Sequence, residues 1–230
     1  MRDHLEKVRE LHNMMPTMYT EMKKYFDEDV AKVSYDRTLS EEGKMMKRKE
    51  VREQHKKKIL EFAKTAHEFQ KKELEALRQK ASKVLNQPTP KADDLTLERF
   101  RNQLADVKAS IILRPKTGGQ KLIEFAKSVD HPYIAEQLRR EIPDLMAMCV
   151  DYMSRDEKIA LTDELDSLRH RFITPEQREA QEMLEVANQY EKAALFSPIL
   201  LDNISGNFGH NVASAVNDYD AVAKALGEGE

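Results

Sequence analysis

The chain has 230 residues, of which 40% are hydrophobic and 34% charged, with no tryptophan, seven glycines and a formal net charge of −3. This composition favours a helix-rich, highly solvated protein over an enzyme with a thick hydrophobic core. The single cysteine, Cys149, excludes an internal disulfide and a zinc site built on cysteine pairs.

The charge is distributed unevenly along the chain. Residues 1–43 have seven basic and ten acidic side chains, residues 44–83 have fourteen and six, and residues 84–230 have seventeen and twenty-five. A basic segment next to an acidic remainder binds either a polyanion or the acidic part of another copy, and the bulk charge does not distinguish the two.

The first residues predict a short amphipathic helix over 3–15, because apolar side chains recur there at a spacing of three to four. Pro16 either ends this helix or starts a second one at Thr17. The N-terminus is charged, unlike a signal peptide, and the strongest apolar patches, 111–113 and 199–201, are much shorter than a membrane span. We therefore expect a cytoplasmic protein that does not contact a membrane.

Residues 39–86 predict one long helix, roughly 70 Å at about 1.5 Å per residue. It follows an uncertain connector over residues 27–36, and Thr38 or Ser40 is the expected N-cap. A helix that is polar on all sides has no face to drive packing within its own chain, so we expect its first half to project or to be held by a partner. The candidate polyanion- or partner-binding residues are the basic ones of this half: Lys44, Lys47, Arg48, Lys49, Arg52, Lys56, Lys57 and Lys58.

The second half of the long helix has apolar residues at helical spacing, which predicts a seam for helix pairing. The 3–4–3 spacing is interrupted by a step of five residues, which favours a modest bundle or local helix pairing over a long supercoil. The candidate seam consists of Ile59, Phe62, Ala66, Phe69, Leu74, Leu77, Ala81 and Val84.

Two prolines between Asn86 and Asp94 predict a linker at 87–94, which separates an N-terminal helical region (1–86) from the rest. Residues 95–196 predict an acidic bundle of shorter helices, one of which we expect Pro143 to interrupt. Ser154 with Glu157 and Thr174 with Gln177 have the spacing of capping boxes.

The remaining residues, 197–230, predict a flexible C-terminal segment. Within it we expect a polar, glycine-bearing loop over 203–211 and a weak final helix over 212–226. We expect its last residues to be frayed, as is common at chain termini. No stretch alternates like a strand, so the predicted fold is all-α, with a long basic N-terminal helix or helical hairpin followed by an acidic multi-helix bundle.

The sequence contains no motif that indicates catalysis. No histidine has a carboxylate three residues before it, which a helical di-metal site requires, and no serine lies in a nucleophile elbow. Residues 116–121 place two glycines between lysines ahead of a helix, and this is either an anion-binding turn or a flexible helix–helix turn. We expect no catalytic site, no metal and no cofactor, and we interpret the chain as a protein that is not an enzyme.

Residues Thr38-Leu-Ser-Glu-Glu-Gly-Lys44 and the charged helix after them resemble small helical structural proteins from the head and virion gene modules of tailed bacteriophages. The resemblance covers residues 38–85. It implies an assembly, scaffolding or virion-internal role, in the host cytoplasm and the virion, and it transfers no functional residues.

Two hypotheses about function follow. The first is a structural or assembly protein whose long helix pairs with itself or with another protein. The second is a nucleic-acid-associated protein whose basic residues contact phosphates, although residues 44–58 have none of the aromatic side chains that usually accompany such contacts. A third interpretation is that this charged segment is simply a well-solvated helix.

Overall fold

The computed structural model describes residues 1–228, except for the side chain of Arg169. Within this range the chain is all-α, which confirms the predicted fold class. Two short 3₁₀ turns, Pro115–Thr117 and Val150–Tyr152, accompany the α-helices. The α-helices are α1 (Arg2–Tyr35), α2 (Glu41–Leu85), α3 (Asp94–Leu113), α4 (Gly118–Ser128), α5 (Pro132–Cys149), α6 (Arg155–Arg171), α7 (Pro175–Lys192), α8 (Pro198–Phe208), α9 (His210–Ala215) and α10 (Tyr219–Ala225).

The chain divides into two compact units. The first unit contains residues 1–85 and the chain from Glu179 onward, and the second contains residues 86–178. The sequence instead predicts one bundle over residues 95–196 and a separate segment over 197–230. The C-terminal residues therefore belong with the N-terminal helices, although they are far from them in sequence.

Helices α1 and α2 form an antiparallel hairpin through the connection at residues 36–40. Contacts between the two helices establish the direction: His4 bonds Glu73 near the end of α2, whereas Asp29 bonds His55 in its first half. The hydroxyl of Ser40 accepts a hydrogen bond from the backbone N–H of Gly43, at 3.1 Å, and so caps the start of α2.

Helix α1 continues through Pro16 without a break, so the predicted end or restart at this residue is wrong, and the connector expected at 27–36 is helical as far as Tyr35. A proline inside a helix costs about 3 kcal/mol. Met15 and Tyr19, on either side of it, are almost fully buried, and burying such side chains contributes about 1.5–3 kcal/mol each. Tertiary packing therefore outweighs the local preference of the proline.

The C-terminal helices α8, α9 and α10 pack into the core of the first unit against α1 and α2. The loop expected over 203–211 is wrong, because most of it is helix α8, and residues 197–228 are packed rather than flexible. Four apolar side chains of this segment are almost completely buried. They are Ile204, Phe208, Val216 and Val222.

The second unit is built from helices α3 to α6 around its own core. The backbone and hydroxyl of Ser154 and the carboxylate of Glu157 form the predicted capping box at the start of α6, which confirms it. Thr174 and Gln177 exchange the same pair of bonds at the start of α7, at 3.1 and 3.2 Å, and this prediction is also confirmed. Helix α5 runs through Pro143, so the expected interruption there is wrong.

The two glycines of residues 116–121 are buried at the start of α4. A Cβ added to Gly118 would lie 3.1 Å from Cβ of Cys149 and 3.2 Å from Cγ1 of Ile111. On Gly119 it would lie 2.7 Å from Cγ of Met153. The glycines therefore allow close helix packing, and neither the anion-binding turn nor the flexible turn describes this segment.

Candidate protein-binding surface

The eight candidate basic residues lie on the first half of α2, and this half packs against α1. Val51 and His55 are buried, and the ring of His55 meets the ring of Phe26 edge-on with centroids 5.4 Å apart. His55 also bonds the carboxylate of Asp29 at 3.1 Å. The expectation that this half projects or needs a partner to hold it is therefore wrong. His55 follows Val51 by four residues and therefore lies on the same side of the helix. If His55 is counted as a buried residue, the sequence itself predicts an inward face for this half of α2.

Most of the eight basic residues already have a partner in the chain. Four form ion pairs within α2, and Arg48 donates to the hydroxyl of Ser34 at 3.1 Å. Exposed pairs three or four residues apart contribute only about 0.3–0.5 kcal/mol each. The four pairs are Lys44–Glu41 at 2.9 Å, Lys47–Glu50 at 2.9 Å, Lys56–Glu53 at 2.7 Å and Lys57–Glu61 at 3.8 Å.

Lys49, Arg52 and Lys58 are exposed and have no ion pair within residues 1–228. At about 100° per residue, Lys49 and Arg52 project to the same side of α2, whereas Lys58 projects to the opposite side from Lys49. The structure therefore places the eight basic residues around the helix and does not bring them together into one cationic face.

The candidate seam is largely buried, but the buried stripe differs in two respects from the predicted one. Phe69 is 38% exposed, and the polar side chains of Gln70 and Glu73 are buried on the inward side of α2 instead. The step of five residues, from Phe69 to Leu74, disappears when Gln70 takes the place of Phe69 in the stripe. The inward stripe then proceeds by steps of three and four through Ile59, Ala63, Ala66, Gln70, Leu74, Leu77 and Ala81. Of the remaining seam residues, Phe62 and Val84 are half-buried.

A carboxylate and a histidine bond each other between α1 and α2. Nδ1 of His4 lies 2.6 Å from Oε2 of Glu73, and the ammonium group of Lys7 lies 3.7 Å from the same oxygen. The hydrogen bond from His4 holds the pKa of Glu73 below its usual range, and the charge of Lys7 adds to the effect. Glu73 is thus an ionised, partnered side chain in a helix interface.

A second polar group lies between α1, α2 and α7. The amide nitrogen of Gln70 donates to the carbonyl oxygen of Tyr190 at 2.7 Å, and the ring of His12 contacts the ring of Tyr190 with centroids 5.1 Å apart. Burial lowers the pKa of His12, an effect that Gln70 partly opposes. Among the described atoms, Nε2 of His12 and Oε1 of Gln70 have no hydrogen-bond partner.

Replacing His12 with leucine is expected to weaken the pH dependence of stability between pH 7 and pH 5. Because the folded-state pKa of His12 lies below the unfolded value of about 6.5, its contribution is fully present above the unfolded pKa and is lost as the pH falls through the folded pKa. Urea unfolding at pH 7, 6 and 5 should show a shallower decline for His12→Leu than for the native chain. Ile199→Ala, at an exposed side chain that does not ionise, should keep the native slope. Equal slopes for His12→Leu and the native chain would contradict the assignment.

The acidic C-terminal residues meet the second half of α2 in the same chain. Residues 179–230 have two basic and nine acidic side chains. The guanidinium of Arg78 binds both carboxylate oxygens of Glu191, at 2.6 and 3.0 Å, which lowers the pKa of Glu191. Lys64 pairs with Glu228. Part of the charge imbalance seen along the sequence is therefore compensated within the first unit.

The outward side of the first half of α2 carries two exposed methionines. Met45 and Met46 are 66% and 63% exposed. They line a shallow depression of about 660 Å³ together with Lys49, Glu50, Glu53 and Gln54. We call Met45, Met46, Lys49 and Arg52 the outer face of α2. It is the part of the predicted basic site with both apolar surface and unpaired charge.

Comparison with protein-family models, with curated proteins and with solved structures finds no match. Within residues 1–228, no three histidine, cysteine, aspartate or glutamate side chains lie together in a way that would hold a metal ion. The described helices also include none with the length and hydrophobicity needed to cross a bilayer.

Proposed function

We propose that this chain is a non-enzymatic structural or assembly protein that acts through helix-mediated contacts with another protein. The observation that carries the proposal is the exposure of Met45 and Met46 side by side on the outer face of α2. Methionine is flexible and polarizable, and surfaces rich in it adapt to a partner.

The rest of α2 supports the choice of the surface at Met45 and Met46, because other helices of the same chain cover much of α2. Its inward side packs on α1, and Leu60, on the outward side, is buried in a core that includes Val212 and Val216. Isolated exposed apolar residues are normal on proteins. Two adjacent ones beside unpaired cations, on a helix that is otherwise well covered, favour a binding surface.

The nucleic-acid alternative has less support. Phosphate binding along a helix needs several cations that face the same way. Of the eight candidates, only Lys49 and Arg52 are on the same side and have no ion pair within residues 1–228. Replacing residues 56–58 with glutamine should leave any retention on DNA or RNA unchanged. A steep, salt-dependent loss of retention in that variant would favour the alternative instead.

A photo-crosslinking amino acid in place of Met46 is expected to give one discrete adduct, with a partner protein or a second copy, in the cells that produce the protein. The same group in place of Lys58, which is exposed on another side of α2, should give little or no adduct. Light scattering of the purified chain would show whether the adduct is a self-association. Absence of any adduct at Met46, together with a monomer that joins no larger species, would overturn the proposed function.

The resemblance to head and virion proteins of tailed bacteriophages suggests one setting for such a contact. In that setting the protein would act in the host cytoplasm and in the virion. This placement stays a prediction, and the cross-linking experiment does not depend on it.

A further inference from the structure

The spacing along α2 aligns apolar and cationic groups on one side of the helix. Met45, Lys49 and Arg52 are separated by four and then three residues, so they follow one another along the same face. Met46 lies beside this row and lines the same depression as Met45 and Lys49. A surface of this kind presents two adaptable apolar side chains at one end and two cations on the next two turns.

The charges on this surface are not balanced. Glu50 and Glu53, which line the depression, are paired with Lys47 and Lys56, at 2.9 and 2.7 Å. Lys49 and Arg52 are exposed and have no such pair in the described part of the chain. The outer face of α2 therefore has an excess of positive charge that carboxylates of a partner would complement.

Near this depression, α2 also meets the C-terminal helices of the same unit. Glu53 also lines a second depression of about 430 Å³, which α2 forms with Asn211, Val212 and Leu226. From residue 45 to residue 56 the helix rises by about 16 Å at 1.5 Å per residue, which is the length of three helical turns. An additional helix lying along α2 fits this shape, and amphipathic helices bind such surfaces through apolar residues at helical spacing.

We propose that the outer face of α2 binds an acidic amphipathic helix of a partner protein. The apolar stripe of that helix packs on Met45 and Met46, and its glutamates or aspartates pair with Lys49 and Arg52. This inference rests on the proposed function and adds the chemistry of the partner.

The experiment is a fluorescence-anisotropy titration of the full chain with two synthetic helical peptides of equal hydrophobicity. One has glutamates flanking a leucine stripe, and the other has lysines at the same positions. We expect saturable binding of the glutamate peptide and at least tenfold weaker binding of the lysine peptide. Lys49→Glu with Arg52→Glu should reverse this preference, and Met45→Ser with Met46→Ser should weaken binding of the glutamate peptide at least tenfold.

Lys58→Glu is the matched control, because it changes one exposed lysine on a different side of α2 and should leave both affinities within twofold. Circular dichroism should show native helicity in every variant. Equal binding of both peptides, a preference that does not reverse, or occupation of this face by an oligonucleotide or a second copy would overturn the inference. If position 46 cross-links to a partner without an acidic helix, only the inference fails, whereas a missing adduct together with a monomer that joins no larger species removes the proposed function itself.

Discussion

Phe208→Ala is expected to destabilise the protein by about 3–5 kcal/mol, the usual range for removing a buried phenylalanine side chain. Phe208 is 1% exposed, and its ring lies 4.8 Å from the ring of Phe26, centroid to centroid. Alanine would leave a cavity where α8 packs on the hairpin. Because total stabilities are about 5–15 kcal/mol, denaturant unfolding followed by circular dichroism should detect the loss easily.

Ile199→Ala in the same helix is the matched control. Ile199 is 73% exposed, and a surface change of this kind usually alters stability by no more than about 0.5 kcal/mol. If Phe208→Ala and Ile199→Ala unfolded at the same denaturant concentration, the C-terminal segment would not be part of the core. The pair of variants therefore distinguishes a packed segment from the flexible one that the composition suggests.

Gly118→Leu is expected to destabilise the second unit by about 1–3 kcal/mol or more, the range for overpacking a filled core. A Cβ at this position lies 3.1 Å from Cβ of Cys149 and 3.2 Å from Cγ1 of Ile111, and both residues are fully buried. The measurement is again chemical unfolding, with hydrogen exchange of the α4 amides to locate the effect in this unit.

Gly206→Leu gives the contrasting result. Gly206 also lies inside a helix, α8, but a Cβ added there meets nothing within 4 Å. Leucine has a higher helix propensity than glycine by roughly 0.5–1 kcal/mol, so this variant should be slightly stabilised. A native-like stability for Gly118→Leu would show that Cys149 and Ile111 can move aside, and that close packing does not require glycine there.

The parts of the fold that follow from local rules could be predicted from the sequence. Helical periodicity without strand alternation was sufficient for the all-α class, which the structure confirms. The two capping boxes are contained within four residues each, so their spacing alone predicts their bonds.

The parts that depend on contacts between distant residues could not be predicted. Pro16 and Pro143 break helices when only neighbours are considered, but the buried residues around them keep α1 and α5 continuous. Residues 203–211 look like a loop because they are polar and contain glycine. What makes them helical is burial of Ile204 and Phe208 against α1 and α2, which are distant in the chain.

The candidate site was predicted in composition but not in arrangement. Counting charges identified residues 44–58, yet the count does not show that four lysines pair with glutamates of the same helix. The two methionines were missed because the charges around them dominate the segment. Two adjacent methionines within an otherwise charged stretch of helix were the available signal.

The polar side chains between α1 and α2 limit how the two helices can align. His4 with Glu73 and Asp29 with His55 join the hairpin near both ends, at 2.6 and 3.1 Å. Sliding one helix past the other by a turn, about 5.4 Å, would separate both pairs and leave a carboxylate facing apolar neighbours. A seam of leucine and alanine alone would tolerate several such alignments, so these pairs specify one register for the whole hairpin.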